Sequence, residues 1–313
     1  MIMKVRKVEE EVVRVSVCDF AKELDLKVVS KGRGEIVLSS ISVSRPGLQL
    51  SGYFVHFDNS RVQVIGNAEN EFLKDMSSEK RYKAFENLIK RKIPCLIFSR
   101  GLEIFPEVVE LCEKYECPLF SSSKITTVLI NDVTAYKSEV LAPTQIAHGV
   151  FVDVFGIGIL ITGKSGVGKS EIALDLVNRG HRLVADDSVI IKNINDKLIG
   201  KSPINIRYFM EIRGIGIINV QQMFGPGAIS PSKNIDIIAE LSPWEHGKGY
   251  ERIGNEDVYE EILGEKVLKL NIPVTPGRNI PIVLETAARQ FRLKQAGYDA
   301  ASDLMNSVFG TSE

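Results

Sequence analysis

The chain has 313 residues, 44 % hydrophobic and 25 % charged, ordinary globular usage that can build a core without disulfide or metal staples. Lysine and arginine number 39 against 40 aspartates and glutamates, a formal charge of −1 that offers no electrostatic case for nucleic acid or a membrane surface as main partner. Cys18, Cys95, Cys112 and Cys117 form no CxxC pair and have no histidine nearby, so free thiols in a reducing compartment are expected rather than zinc or disulfides.

In chain order, residues 19–24 have helical spacing. Residues 36–43 read as one strand, rich in β-branched side chains. Ser44-Arg45-Pro46-Gly47 is a turn, and 61–66 a second strand. Residues 78–92 form an amphipathic helix with Tyr82, Phe85, Leu88 and Ile89 on one face. A short strand at 95–98, a helix at 105–115 and a strand at 118–120 complete an alternating α/β pattern. A connecting helix is expected at 127–138, followed by a break at Leu141-Ala142-Pro143-Thr144. Two strands follow at 149–154 and 158–162. The apolar stretch that holds them, 149–163, contains Asp153 and is too short to span a bilayer, and the amino terminus lacks an apolar leader run. A soluble, cytoplasmic protein is therefore expected. A helix at 169–179 is ended by Gly180, and a strand stub, Leu183-Val184-Ala185, delivers Asp186-Asp187. Residues 299–309 have helical spacing again. The spacing predicts two domains, an α/β domain over 1–135 and a second α/β domain with a mixed sheet over 136–313.

Between the second strand and its helix stands Gly163-Lys164-Ser165-Gly166-Val167-Gly168-Lys169-Ser170, which meets the phosphate-loop pattern GxxxxGK[ST] in full. With glycine at about 7 % of residues, a chain this long matches by accident roughly once in a hundred. An apolar strand before the loop and an amphipathic helix after it lower that further. The glycines let backbone N–H groups point at an anion, and the helix directs its positive end at the same place. Lys169 is suited to the β- and γ-phosphates, and the Ser170 hydroxyl to Mg²⁺. ATP·Mg²⁺ is the expected ligand.

Asp186 and Asp187 fall at a strand tip, the end that faces ligands in such sheets. One carboxylate could hold metal or water while the other takes a proton; aspartate is equally at home in a solvated turn or helix cap. His148, alone a structural histidine, could beside a phosphate site bind phosphate or tune a carboxylate. His56, His181 and His246 carry no such indication. Glu211-Ile212-Arg213-Gly214-Ile215-Gly216 sets an acid and a base around glycines. Glu211 could complete a Mg²⁺ shell and Arg213 could contact phosphate. Arg252 and Arg278 lie in glycine-bearing loops, which read equally as phosphate contacts or as solvated turns.

Together these residues resemble the HPr kinase/phosphorylase family, bifunctional enzymes acting on a serine of the phosphocarrier protein HPr. The resemblance runs from His148-Gly149 through the loop, Gly180-His181-Arg182-Leu183-Val184-Ala185-Asp186-Asp187, the Glu211 segment, Arg252 and Gly277-Arg278-Asn279. It extends to Ser44-Arg45-Pro46-Gly47-Leu48-Gln49-Leu50-Ser51-Gly52-Tyr53-Phe54 in the first domain. It implies that Lys169 binds phosphate and that Ser170 and Glu211 hold Mg²⁺. Asp187 would be the proton acceptor of the kinase reaction and the proton donor of its reverse. His148 and Arg252 would join the catalytic set, with Asp186 and Arg213 beside them, and Arg278 would serve mainly dephosphorylation. It further implies a regulatory first domain, HPr or a close paralogue as partner, a homo-oligomer, namely a hexamer, and pyrophosphate as a second donor. Thr275-Pro276 departs from the family, which often carries a basic residue there; the reverse reaction is the one this touches. The competing expectations are a small-molecule or phosphoenolpyruvate carboxykinase-like enzyme, and a nucleotide sensor without turnover.

Overall fold

The computed structural model describes residues 12–244, 257–275 and 277–309. The chain divides into two compact units, Met1–Ala142 and Pro143–Glu313. Residue 135 lies inside a helix of the first unit, Thr126–Val140.

The first unit contains β1 (Val13–Ser16), α1 (Val17–Leu24), β2 (Lys27–Ser30), β3 (Glu35–Leu38), β4 (Val43–Ser44), α2 (Gly47–Leu50) and β5 (Val62–Ile65). After these come α3 (Asn67–Lys74), α4 (Ser78–Ile89), β6 (Leu96–Phe98), α5 (Pro106–Lys114), β7 (Leu119–Ser121) and α6 (Thr126–Val140). A five-stranded sheet runs in the order β2-β7-β6-β5-β4, all parallel except β2. Alternation along its strands splits the core in two. Ile65, Leu96, Phe98 and Leu119 meet α4 and α5 through Phe85, Leu88, Val108 and Leu111. Val62, Val64, Ile97 and Phe120 meet α1 and α6 through Phe20, Leu24, Leu129 and Val133.

The single strand expected over 36–43 is two. β3 pairs with β1, β4 pairs with β5, and Ile41 between them is 46 % exposed. The Ser40 hydroxyl accepts the Ser42 N–H at 3.2 Å, a local bond that competes with a ladder. Arg45, in the turn after β4, donates to Glu69 Oε2 at 2.7 Å. The same oxygen accepts the Gly66 N–H at 3.0 Å and so caps α3.

The second unit contains β8 (Thr144–His148), β9 (Val150–Val154), β10 (Ile157–Gly163), α7 (Lys169–Asn178), β11 (Arg182–Ala185), β12 (Ser188–Ile194), β13 (Lys197–Lys201), β14 (Phe209–Ile212) and β15 (Gly216–Asn219). It continues with α8 (Val220–Phe224), β16 (Lys233–Asn234), β17 (Ile237–Pro243), β18 (Val258–Ile262), β19 (Glu265–Val274), α9 (Ile280–Gln295) and α10 (Ala300–Phe309). A mixed six-stranded sheet runs β11-β9-β10-β17-β19-β18, and an antiparallel four-stranded sheet β16-β13-β12-β8. Val150, Val152 and Val154 face the helix layer, where Ala173 and Leu176 of α7 and Leu284 and Ala288 of α9 pack. Phe151 and Leu160 point the other way, onto Val189, Ile191 and Leu198 of the second sheet. Burial on both faces explains why β9 is apolar at every position but Asp153. No helix among the described residues is long and apolar enough to cross a membrane.

One buried charge in the first unit is testable. Lys137 of α6 is fully buried, and its Nζ donates to the Ser42 carbonyl at 2.6 Å. Burial pushes its pKa down to about 8 from an ordinary 10.5. As pH falls from 10.5 to about 8 the unfolded chain takes up a proton that the folded chain refuses, so stability falls through that window and levels off below it. Lys137→Met should be more stable at pH 7 by up to roughly 3 kcal/mol, less about 1 for the carbonyl left without its donor. The advantage should vanish as pH rises from 8 to 10.5. Urea midpoints of both proteins across this range measure it; curves that stay parallel would show that no charge is buried there.

Candidate active site

Four strands of the six-stranded sheet run the same way. β10, β17 and β19 are mutually parallel, and β11 is antiparallel to β9, which is antiparallel to β10. Their carboxyl ends therefore bring Gly163, the Leu241–Pro243 stretch, Val274 and Asp186 to one edge, where α/β sheets bind ligands. The phosphate loop turns at this edge from β10 into α7. Gly163 has φ +134, and a Cβ on it would stand 2.4 Å from the Leu241 carbonyl oxygen, so only glycine fits beside β17. Gly166 has φ +84, and Arg213 Nη1 lies 2.9 Å from where its Cβ would be, so a guanidinium rests on the loop. Lys164, Ser165 and Gly166 are exposed, while Val167, Gly168, Lys169 and Ser170 are half-buried. Lys169 Nζ donates to the Gly163 and Lys164 carbonyls at 3.1 and 3.2 Å, folding the ammonium over the cradle.

Asp186 is the junction of the site. It is 7 % exposed; Oδ1 accepts the Ser170 hydroxyl at 3.0 Å and Oδ2 accepts the Glu211 N–H at 3.1 Å. One carboxylate thus ties the first turn of α7 to strand β14. Burial raises its pKa above the usual carboxylate range. The Glu211 and Ser170 donors offset part of that, and the neighbouring Asp187 charge adds to it. Glu211 itself is exposed, alternating along β14 with buried Met210 and Ile212.

Asp187 is exposed, with φ +63, and the Ser188 N–H reaches back to the Asp186 carbonyl at 2.7 Å. A left-handed, tightly turned non-glycine residue is the kind of local strain that surrounding structure has to enforce. Here the chain leaves the six-stranded sheet at β11 and enters the four-stranded sheet at β12. A second corner, from β8 to β9, lies alongside. Gly149 N–H donates to the Asp187 carbonyl at 3.1 Å, and His148 pairs with Ser188 in the β8–β12 ladder. Two sheet-switching corners therefore set His148 and Asp187 next to each other. Spacing could not reveal this, because β8 was not expected as a strand and His148 reads as the start of β9.

Arg278 is turned onto its own loop: its N–H bonds the Thr275 carbonyl at 3.1 Å and its Nη1 the Pro273 carbonyl at 3.0 Å. Arg252, His246 and Pro276 lie outside the described residues. His181 is buried, with Nε2 2.9 Å from Glu285 Oε1 and its ring edge-on to Phe155. Cys95, Cys112 and Cys117 are buried free thiols and Cys18 is an exposed one.

The Ser170 hydroxyl and the Asp186 carboxylate, hydrogen-bonded to each other beside the loop, are hard oxygen donors of the kind Mg²⁺ takes. Among the described residues no group of three or more His, Cys, Asp or Glu converges. A Mg²⁺ ion here would take one or two carboxylates and find its remaining partners on nucleotide phosphates and water.

A family model described as HPr Serine kinase C-terminal domain matches residues 139–308, and one described as HPr Serine kinase N terminus matches residues 15–136. The HPr kinase/phosphorylase of Peptoclostridium acidaminophilum is 45 % identical over 290 residues, covering 92 % of this chain and 94 % of that one. That of Caldicellulosiruptor bescii is 46 % identical over 286 residues, covering 90 % and 92 %. Among solved structures, the Hpr(Ser) kinase/phosphatase from Coxiella burnetii is 38 % identical, covers 51 % of this chain and 98 % of its own, and superposes with a TM-score of 0.46. With two family models side by side and relatives matched over nearly their full length, the chain belongs to the HPr kinase/phosphorylase family.

Proposed function

We propose that the chain transfers the γ-phosphoryl group of ATP to a serine of HPr, or of a close paralogue, and also runs the reverse phosphorolysis. In reverse, inorganic phosphate attacks phosphoserine-HPr, the serine oxygen leaves, and the products are HPr and pyrophosphate. The observation that carries this reading is the pair of hydrogen-bonded sheet corners holding His148 and Asp187 at the edge where the phosphate loop opens. The names of the relatives support HPr as the acceptor.

Loop amides from Gly163 to Ser170 and the positive end of α7 take the β- and γ-phosphates. Lys169 exchanges its two carbonyl acceptors for phosphate oxygens. Arg213, already against Gly166, spreads charge on the transferred group, and Arg252 joins it by resemblance. The exposed Asp187 carboxylate accepts the serine proton as the oxygen attacks in line; in reverse it returns the proton to the departing oxygen, as microscopic reversibility requires. His148 orients that carboxylate. Ser170 and Glu211, with Asp186 behind them, would hold Mg²⁺, which when bound would supply neutralisation of the phosphate charge. Arg278 serves the dephosphorylation direction. Pyrophosphate as an alternative donor, a hexameric assembly, a regulatory first unit and control of carbon catabolite repression and sugar uptake belong to the same proposal. The exposed Leu304 and Val308 of α10, on one helical face, support a contact between subunits.

Asp187→Asn should keep ATP affinity, read by calorimetry, and lose both directions of transfer by about 10²–10⁴-fold, read as the mass of HPr after incubation with ATP and then with phosphate. Normal phosphorylation by this variant would remove Asp187 as the base. Lys169→Ala should weaken ATP binding and transfer together; unchanged turnover would take Lys169 out of the mechanism.

A further inference from the structure

In the first unit the loop between β3 and β4 and the loop before β5 line one cleft, through Ser39, Ser40, Ile41, Asp58, Ser60 and Leu141. Its volume is about 640 Å³, within the roughly 300–1,000 Å³ of small-molecule sites. Its acceptors are largely spent and its donors are not. Asp58, the one acid of the lining, is held by its own loop. Oδ1 accepts the Ser60 N–H at 3.0 Å and the Ser60 hydroxyl at 2.5 Å, and Oδ2 accepts Arg61 Nε at 2.9 Å. These bonds keep its carboxyl below the usual carboxylate range, so it stays ionised. Ser40 Oγ accepts the Ser42 N–H and keeps its own proton to give. Among the described residues the Ser39 hydroxyl, and the Arg61 amino groups beside the cleft, meet no acceptor.

Lys137 lies behind the wall of this cleft. Leu141, which caps α6, stands one helical turn after it, its N–H on the Lys137 carbonyl at 2.9 Å. Lys137 Nζ bonds the carbonyl of Ser42, next to Ile41, and among the described residues that is its one acceptor. The charged and titratable groups that act on it are Asp58, Arg61 and the buried Cys95 thiol. Asp58 and Arg61 neutralise each other, so no anion is left for the buried ammonium. A buried amine kept without a counter-ion, beside a cleft of unused donors, has the marks of a binding site.

We propose that this cleft binds a small hydroxy acid, whose carboxylate meets Ser39 and Ser40 in front of Lys137 and whose hydroxyl reaches Asp58. Unused donors call for an anion. Asp58 in the same lining opposes a second negative charge, which favours a monocarboxylate over a phosphate dianion. A carboxylate has about four acceptor sites, and Asp58 receives three bonds, so one is left for a ligand hydroxyl. The ligand carboxylate need not touch Nζ, because across a layer of side chains that excludes water opposite charges attract strongly. Binding therefore draws a proton onto Lys137. The site lies wholly in the first unit and is independent of the transfer reaction proposed above.

The test uses the full-length chain, the variants Lys137→Met and Ser39→Ala, and glycerate as the probe. Lys137→Met removes the charge from a chain expected to fold more stably, so misfolding does not confuse the result. Millimolar glycerate should slow amide exchange in 39–42 and 58–61 of the natural chain at least about threefold, read by mass spectrometry. The slowing should be lost in Lys137→Met and weakened in Ser39→Ala. At pH about 8 the heat of binding should differ between buffers of unlike ionisation enthalpy, because Lys137 takes up a proton. Lys137→Met should show no such difference. Absence of slowing in the natural chain overturns the inference. Slowing of the same size in Lys137→Met also overturns it, since no buried charge would then attract the acid. So does slowing confined to 163–170, which would mean binding at the phosphate loop alone.

Discussion

The candidate active site is held together by one carboxylate with little access to water. Asp186 receives the Ser170 hydroxyl on one oxygen and the Glu211 amide on the other. The phosphate loop and strand β14 are distant in sequence, and this shared acceptor fixes the distance between them. An ionised group in such a position is costly unless its lone pairs are met, and two donors meet only part of what water would supply. The raised pKa records the remainder. A cation beside this carboxylate would offset the same deficit. Stability and readiness pull in opposite directions at this residue, as is common where chemistry is done.

Local features of the fold were well expressed in the sequence. The phosphate loop, its flanking strand and helix, and the amphipathic helix now seen at Ser78–Ile89 follow from periodicity and glycine placement alone. The alternating pattern of the first unit also pointed to an α/β domain, as found. What stayed hidden was long-range. The short strand Val43–Ser44 and the strand Thr144–His148 are defined by partners far along the chain rather than by their own composition. The role of Asp186 as a link to the Glu211 amide has no local mark either, since a backbone donor leaves no trace in residue type. The site was therefore legible as a list of side chains, and its assembly through two sheet corners was not.

Arg45 lies in the Ser44-Arg45-Pro46-Gly47 turn, part of the segment by which the first unit resembles the family. In the structure its guanidinium reaches Glu69, whose carboxylate returns to cap α3 at Gly66. The arginine neutralises a nearly buried acid and ends a strand, a structural task complete in itself.

The lysine of the phosphate loop is held by the Gly163 and Lys164 carbonyls. An arriving anion must compete with these internal acceptors, so its net grip is the difference between two sets of bonds. That subtraction limits how tightly any phosphate group can be retained there.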